Sequence, residues 1–193
     1  QPEAVWKSIY HHYLPVAVEP SAAPSRADLG EAAVAWAAVA LADKADTLAG
    51  LFVAGERPTG SRDPYGLRRA AQGLVRLLAD LPELTGIERI IGIEPITERA
   101  FDAFAGHQGA PDAGPALEAF MRERVASVFE QRGADIRNIR AVMGSGQLLT
   151  PLTVRRRLAA LPEFTETSEF QQLAQLFKRV RNIARQLPDA RFL

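Results

Sequence analysis

The stretch "ALADKADTLAGLFVAGERPTGSRDPYGLRRAAQGLVRLL" (residues 40–78) decides how the chain folds. Its opening is apolar and helix-forming, its middle gathers glycine, proline and arginine, and its end alternates between an apolar and a polar side. Asp63 followed by Pro64 predicts a helix start, because Asp offers a side-chain acceptor to free N–H groups and Pro presets φ for the first turn. Leu67, Ala70, Ala71, Leu74, Leu77, Leu78 and Leu81 then fall on one stripe, with Arg69, Gln72, Arg76 and Asp80 opposite. Two helices joined by a stiff basic elbow are expected.

Upstream, the helix entering the elbow is expected over 29–53. Val34, Trp36, Val39, Leu41, Leu48, Leu51 and Phe52 leave it apolar on nearly every side, which predicts burial. Asp28 is placed to cap it, with Glu31 in capping-box spacing. Residues 4–13 read as a helix stopped near Pro15, and 16–27 as a loop. Downstream, helices are expected at roughly 95–106, 115–132, 135–143, 151–160 and 166–186. "GHQGAPDAGP", Gly133, "GSGQ" and "LPEF" mark the breaks between them. "IERIIGIEPI" (87–96) is the one ambiguous segment: its isoleucines allow a short strand, with helix or irregular structure favoured. The fold class is all-α and multi-helical.

Composition narrows the function classes. A chain of 193 residues with 47% hydrophobic and 24% charged residues is globular and can bury a sizeable core. The absence of cysteine excludes a disulfide framework and thiolate metal sites, and suits a reducing cytosol. Asp43, Lys44 and Asp46 interrupt the longest apolar run, so no stretch approaches the roughly 20 residues of a membrane span. "QPEAVWKSIY" has no basic start or apolar core, so no export signal is expected. It does not open with Met, which suggests a piece of a longer protein. The zero net charge hides an uneven distribution. Residues 1–50 carry 3 basic and 6 acidic side chains, and residues 151–193 carry 8 and 4, a net of +4 that points weakly to an anionic partner.

Asp43 and Asp46, three positions apart, share one helix face. Two readings stand for them: structural pairing with an arginine or the backbone, or metal ligation. The second needs partners, yet His11 and His12 point in different directions and His107 stands alone in a Gly/Pro loop. No serine has a base beside it, and "GSGQ" follows no strand. No catalytic residue and no metal site is therefore assigned. Nucleic-acid contact has more behind it. On the last helix Phe170, Leu173, Leu176, Phe177, Val180, Ile183 and Ala184 form an expected packed side, with Lys178, Arg181 and Arg185 along one edge. Arg155, Arg156 and Arg157 add charge, as do Arg57, Arg62, Arg68 and Arg69 in the elbow. Arginine clusters of this kind bind phosphate through charge-assisted hydrogen bonds. The competing reading is bracing: Arg68 on Asp43 or Asp46, and the ridge on Glu163, Glu166 or Glu169.

The composite pattern resembles the beta subunit of bacterial-type glycyl-tRNA synthetase. Ala42, Asp43, Lys44, Asp46, Thr47 and Leu48 match its A-D-K-x-D-T-L helix. Pro58, Thr59, Gly60, Ser61, Asp63, Pro64, Leu67, Arg68, Arg69, Ala70 and Ala71 match its P-T-G-S-x-D-P-x-x-L-R-R-A-A segment. "YHHYLP" (10–15) is similar to the family's E-H-Y-L-P, with His11 where an acidic residue is usual, and "FKRVRNIAR" (177–185) to its K-R-x-x-N-I. The resemblance implies a cytoplasmic tRNA-charging complex of the alpha2beta2 type. In it an alpha subunit uses ATP and Mg2+ for adenylation while the beta subunit binds tRNA(Gly), with no cofactor of its own in this piece. It also implies that residues 1–82 are the end of an HD-like helical domain, and that 83–193 are a helical body before an anticodon-binding domain beyond Leu193. Asp43 would sit where HD hydrolases place a metal ligand, without the histidine and His-Asp ligands that should precede it. A remnant of a metal-dependent phosphohydrolase and a purely structural interaction module are the alternatives.

Overall fold

The computed structural model describes residues 2–16, 23–144 and 150–185. These residues are all-α, and among them the only β-pairing is an isolated bridge between Thr59 and Arg62. The helices are α1 (Glu3–His11), α2 (Arg26–Leu29), α3 (Ala33–Val53), α4 (Leu67–Ala79), α5 (Leu81–Thr85), α6 (Glu94–Phe101), α7 (Ala110–Gln131), α8 (Ile136–Met143), α9 (Pro151–Thr165) and α10 (Ser168–Ala184). Parts of the expected 16–27 loop and of "GSGQ", and the expected helix end at 186, lie outside the described residues. None of the described helices is long and apolar enough to cross a membrane.

The central element is α3, which packs against α1, α4, α6 and α7, while α4 also meets α7 and α9. One apolar cluster joins Leu48 and Phe52 of α3, Leu74 and Leu78 of α4, Leu117 and Met121 of α7, Ile139 of α8 and Val154 of α9. It therefore includes residues on both sides of residue 82. A second cluster gathers Leu29, Trp36, Leu77, Leu81 and Leu84 near the start of α3.

Several local expectations are corrected. The cap before α3 is Ser25, not Asp28. Ser25 Oγ accepts from the Asp28 backbone N–H while Asp28 Oδ2 accepts from Ser25, a capping box that opens α2, and a 3₁₀ turn over Gly30–Ala32 leads on into α3. Burial of α3 is one-sided: Trp36, Leu48 and Phe52 are enclosed, while Val34 and Val39 are nearly half exposed. On α4, Arg76 is 4% exposed rather than on a solvent face, because α7 and α9 cover that side as well. Helix α7 begins at Ala110, ahead of the expected 115, and carries Pro115 inside it. Helix α9 runs through Pro162 to Thr165, so "LPEF" is not a break. The short α5 lies where no separate helix was expected.

The largest difference is at α10. Its expected packed side is open: Leu173, Leu176, Phe177, Val180 and Ile183 are 57–68% exposed, and among the described elements α9 is its main neighbour. Helical periodicity identifies an apolar face correctly, but it cannot say whether another element lies against that face.

Candidate nucleic-acid interface

The A-D-K segment and the residues that follow α1 are joined by one side chain. Lys44 is 3% exposed, and its Nζ donates to the carbonyls of Tyr13 at 2.8 Å, His12 at 3.3 Å and Leu14 at 3.4 Å. Two turns earlier on α3, Trp36 Nε1 donates to His11 O at 2.8 Å. Both donors come from one face of α3 and satisfy the carbonyls at and beyond the end of α1, where a helix runs out of internal partners. The ammonium also meets the negative pole of α1. Burial nevertheless pulls the Lys44 pKa from 10.5 to about 8, and the neighbouring Asp43 charge partly holds it up. Gly73 of α4 lets the tie form, since a Cβ there would stand 2.3 Å from Pro15 O and 2.5 Å from Lys44 Cε. The motif lysine is thus a bolt through α1, α3 and α4.

Asp43 and Asp46 do not share that burial. Both are exposed, contrary to the expectation of carboxylates enclosed in an apolar helix and compensated by partners. The helical period places Lys44 inward and both carboxylates outward. Among the described residues no three His, Cys, Asp or Glu side chains converge as a metal site would require.

In the elbow Asp63 acts as a cap, but from further away than expected. Its Oδ1 accepts from Leu67 N at 2.8 Å and its Oδ2 from Arg68 N at 3.0 Å, so α4 starts at Leu67. Pro64 and Tyr65 lie in the intervening turn, closed by Gly66 at φ 67°, a left-handed conformation that favours glycine. Arg68 donates to Gly60 O at 2.7 Å and Arg62 O at 3.4 Å, stapling the loop, and not to Asp43 or Asp46. Arg57 lies over the Phe52 ring at 4.0 Å and donates to the Phe52 and Glu56 carbonyls, and burial holds its pKa below the usual arginine value. Arg62 and Arg69 are exposed.

The arginines of α9 are engaged within the fold. Arg155 bridges Asp80, at 2.9 Å, and Glu83. Asp80 also takes a bidentate pair from Arg132 at 2.9 and 2.7 Å, with Arg76 Nε at 3.5 Å. This hub fastens α4 to α7 and α9. The bond to Arg155 holds the Glu83 carboxyl below its ordinary range, and the same bond raises Arg155. Arg156 pairs with Glu88, and Arg157 donates to Val142 O at 3.3 Å. By contrast, Lys178, Arg181 and Arg185 are exposed along α10, and among the described residues none of them pairs with Glu163, Glu166 or Glu169. Neither the Lys44 bolt nor the Asp80 hub is assigned by the sequence reading. A lone lysine on the buried period of an apolar helix is the available signal for the first, while the second joins residues up to 75 positions apart.

An all-helical body, built around an interhelical bolt and hub with exposed cations along α10, defines the class: an all-α helical module. The chain belongs to the glycyl-tRNA synthetase beta subunit family, whose model matches residues 1–144. It is similar to the glycine–tRNA ligase beta subunit of Cereibacter sphaeroides, 36% identical over 187 residues that make up 96% of this chain and 25% of that protein. It is also similar to that of Nitrosomonas eutropha, 37% identical over 160 residues, 75% of this chain and 21% of that protein. That of Acidithiobacillus ferrooxidans is 34% identical over 181 residues, 92% of this chain and 24% of that protein. The chain spans about a quarter of the length of the curated relatives it matches.

Proposed function

We propose that this chain contributes tRNA binding and subunit scaffolding, rather than chemistry, to glycine–tRNA ligation. ATP-dependent charging is then carried out together with a separate alpha subunit. Family membership supports the setting. The observation that carries the RNA assignment is the contrast among the basic side chains. Arg57, Arg68, Arg155 and Arg156 are engaged by carbonyls, a ring and carboxylates of their own fold, whereas Lys178, Arg181 and Arg185 stand exposed at successive helical turns. Cations held ready in this way suit phosphate groups.

The apolar side of the same helix favours a second role. Leu173, Phe177 and Val180 repeat at alternating steps of four and three, the spacing of a seam between packed helices, and support docking of another part of the assembly. The cations run along one edge of this apolar side, and substitutions confined to one set or the other address the two roles separately. In the assembled alpha–beta enzyme, changing Lys178, Arg181 and Arg185 together to Gln should weaken tRNA binding and leave assembly intact. Leu173→Ser with Phe177→Ser should do the reverse. Unchanged tRNA affinity in the first variant would remove the RNA role.

A further inference from the structure

A cleft beside the Lys44 bolt is not used by this reading. It encloses about 200 Å³, and its lining includes Tyr13 after α1, Asp43 and Thr47 of α3, Tyr65 of the elbow, and Arg69 and Ala70 of α4. Tyr13 is 55% exposed and Tyr65 54%. Asp43 and Arg69 are exposed too, and among the described residues neither side chain is engaged in an ion pair or hydrogen bond. Four segments of the chain therefore bring two half-exposed aromatic rings, and one carboxylate and one guanidinium that make no hydrogen bond or ion pair among the described residues, to a single opening. The bolt and the capped elbow hold them there.

We propose that this cleft receives one unpaired nucleotide of an RNA strand, a subsite that rests on the RNA-binding reading above. A nucleotide is the ligand class that uses all the groups at once. Its base stacks on tyrosine, as unpaired bases do on aromatic side chains. The Asp43 carboxylate accepts from an exocyclic amine or the ribose 2′-hydroxyl, and the Arg69 guanidinium takes the phosphate. The charges also set direction: the phosphate lies toward Arg69 and away from Asp43. Size decides between a strand and a free nucleotide cofactor. Complete small-molecule sites run to roughly 300–1,000 Å³, so about 200 Å³ suits a single base whose neighbours remain outside.

The test uses the assembled alpha–beta enzyme and full-length tRNA. Tyr65→Ala and Tyr13→Ala should each weaken binding by about 5- to 100-fold, the range for losing one stacked base. They should leave the salt dependence unchanged, because the phosphates keep their cations. Tyr65→Phe should bind like wild type, while Arg69→Gln should weaken binding and flatten the salt dependence. Photo-crosslinking from p-benzoylphenylalanine placed at position 65 should label an unpaired tRNA nucleotide. Wild-type affinity in both alanine variants, or crosslinks from position 65 to protein alone, would overturn the subsite. If the variants at 178, 181 and 185 still weaken binding in that case, only the cleft assignment falls. If they do not, the RNA-binding reading falls with it.

Discussion

Replacing Lys44 by Met should flatten the pH dependence of folding stability on the alkaline side. Met keeps the aliphatic stem of the bolt and removes its titrating end. In the folded chain the ammonium is desolvated and titrates at about 8, against 10.5 for a free lysine. Between those values the unfolded chain holds more protons than the folded one, so stability must rise with pH across that window. The contribution is fully present above the unfolded pKa and is lost as pH falls through the folded one. Integrated from pH 7 to pH 9.5, a shift of this size contributes about 2 kcal/mol, or roughly 4–8 °C in melting temperature for a chain of this length. Urea unfolding of wild type and Lys44→Met at both pH values isolates the effect, because every other titrating group cancels in the double difference. A wild-type gain of about 2 kcal/mol that is absent in the variant is expected. Parallel pH profiles would refute the reasoning, since they would mean that Lys44 is solvated in the folded state.

The same geometry sets the cost of three other substitutions. Gly73→Ala drives a methyl group into Pro15 O and the Lys44 stem and should cost about 1–3 kcal/mol by chemical denaturation. Asp80→Asn removes the negative charge shared by Arg132 and Arg155, beside Arg76, and replaces one acceptor oxygen by a donor NH2; it should cost about 3 kcal/mol, seen as a lower urea midpoint. Asp43→Ala, at an exposed carboxylate with no hydrogen bond or ion pair among the described residues and only a through-space pull on Lys44, should change stability by less than about 0.5 kcal/mol. A loss of several kcal/mol would restore the view of Asp43 as a structural group.

Much of the fold is legible in the sequence because most helices announce themselves locally. The stripe from Leu67 to Leu81, the glycine after α7 and the proline opening α9 fix element type and approximate position without tertiary information. Caps are harder to read. Ser25 and Asp28 are both good capping residues, and the cap is Ser25 because Asp28 serves the box as its reciprocal acceptor. Asp63 caps across an intervening turn, a geometry set by the left-handed Gly66 rather than by spacing alone. The site is less legible because a helix period tells which residues share a face, not which face is covered. An apolar helix suggests that Asp43 and Asp46 are buried with their neighbours, yet Lys44 is the residue that turns inward. The Leu173–Ile183 face reads as core and is open. The partners of Arg68, Arg155 and Arg156 depend on where loops and neighbouring helices finish, which pairs residues far apart in the chain.

The claim that α10 meets tRNA phosphate is tested most directly by the salt dependence of tRNA binding to the assembled alpha–beta enzyme. Wild type is compared with the variant in which Lys178, Arg181 and Arg185 are all Gln. Every phosphate that gives up its cation should reduce the steepness of log affinity against log salt by about 0.7–0.9. Three such phosphates therefore predict a slope shallower by about 2–3 units. The melting temperature should stay nearly unchanged, because these side chains brace nothing among the described residues. An identical slope in wild type and variant would contradict the account.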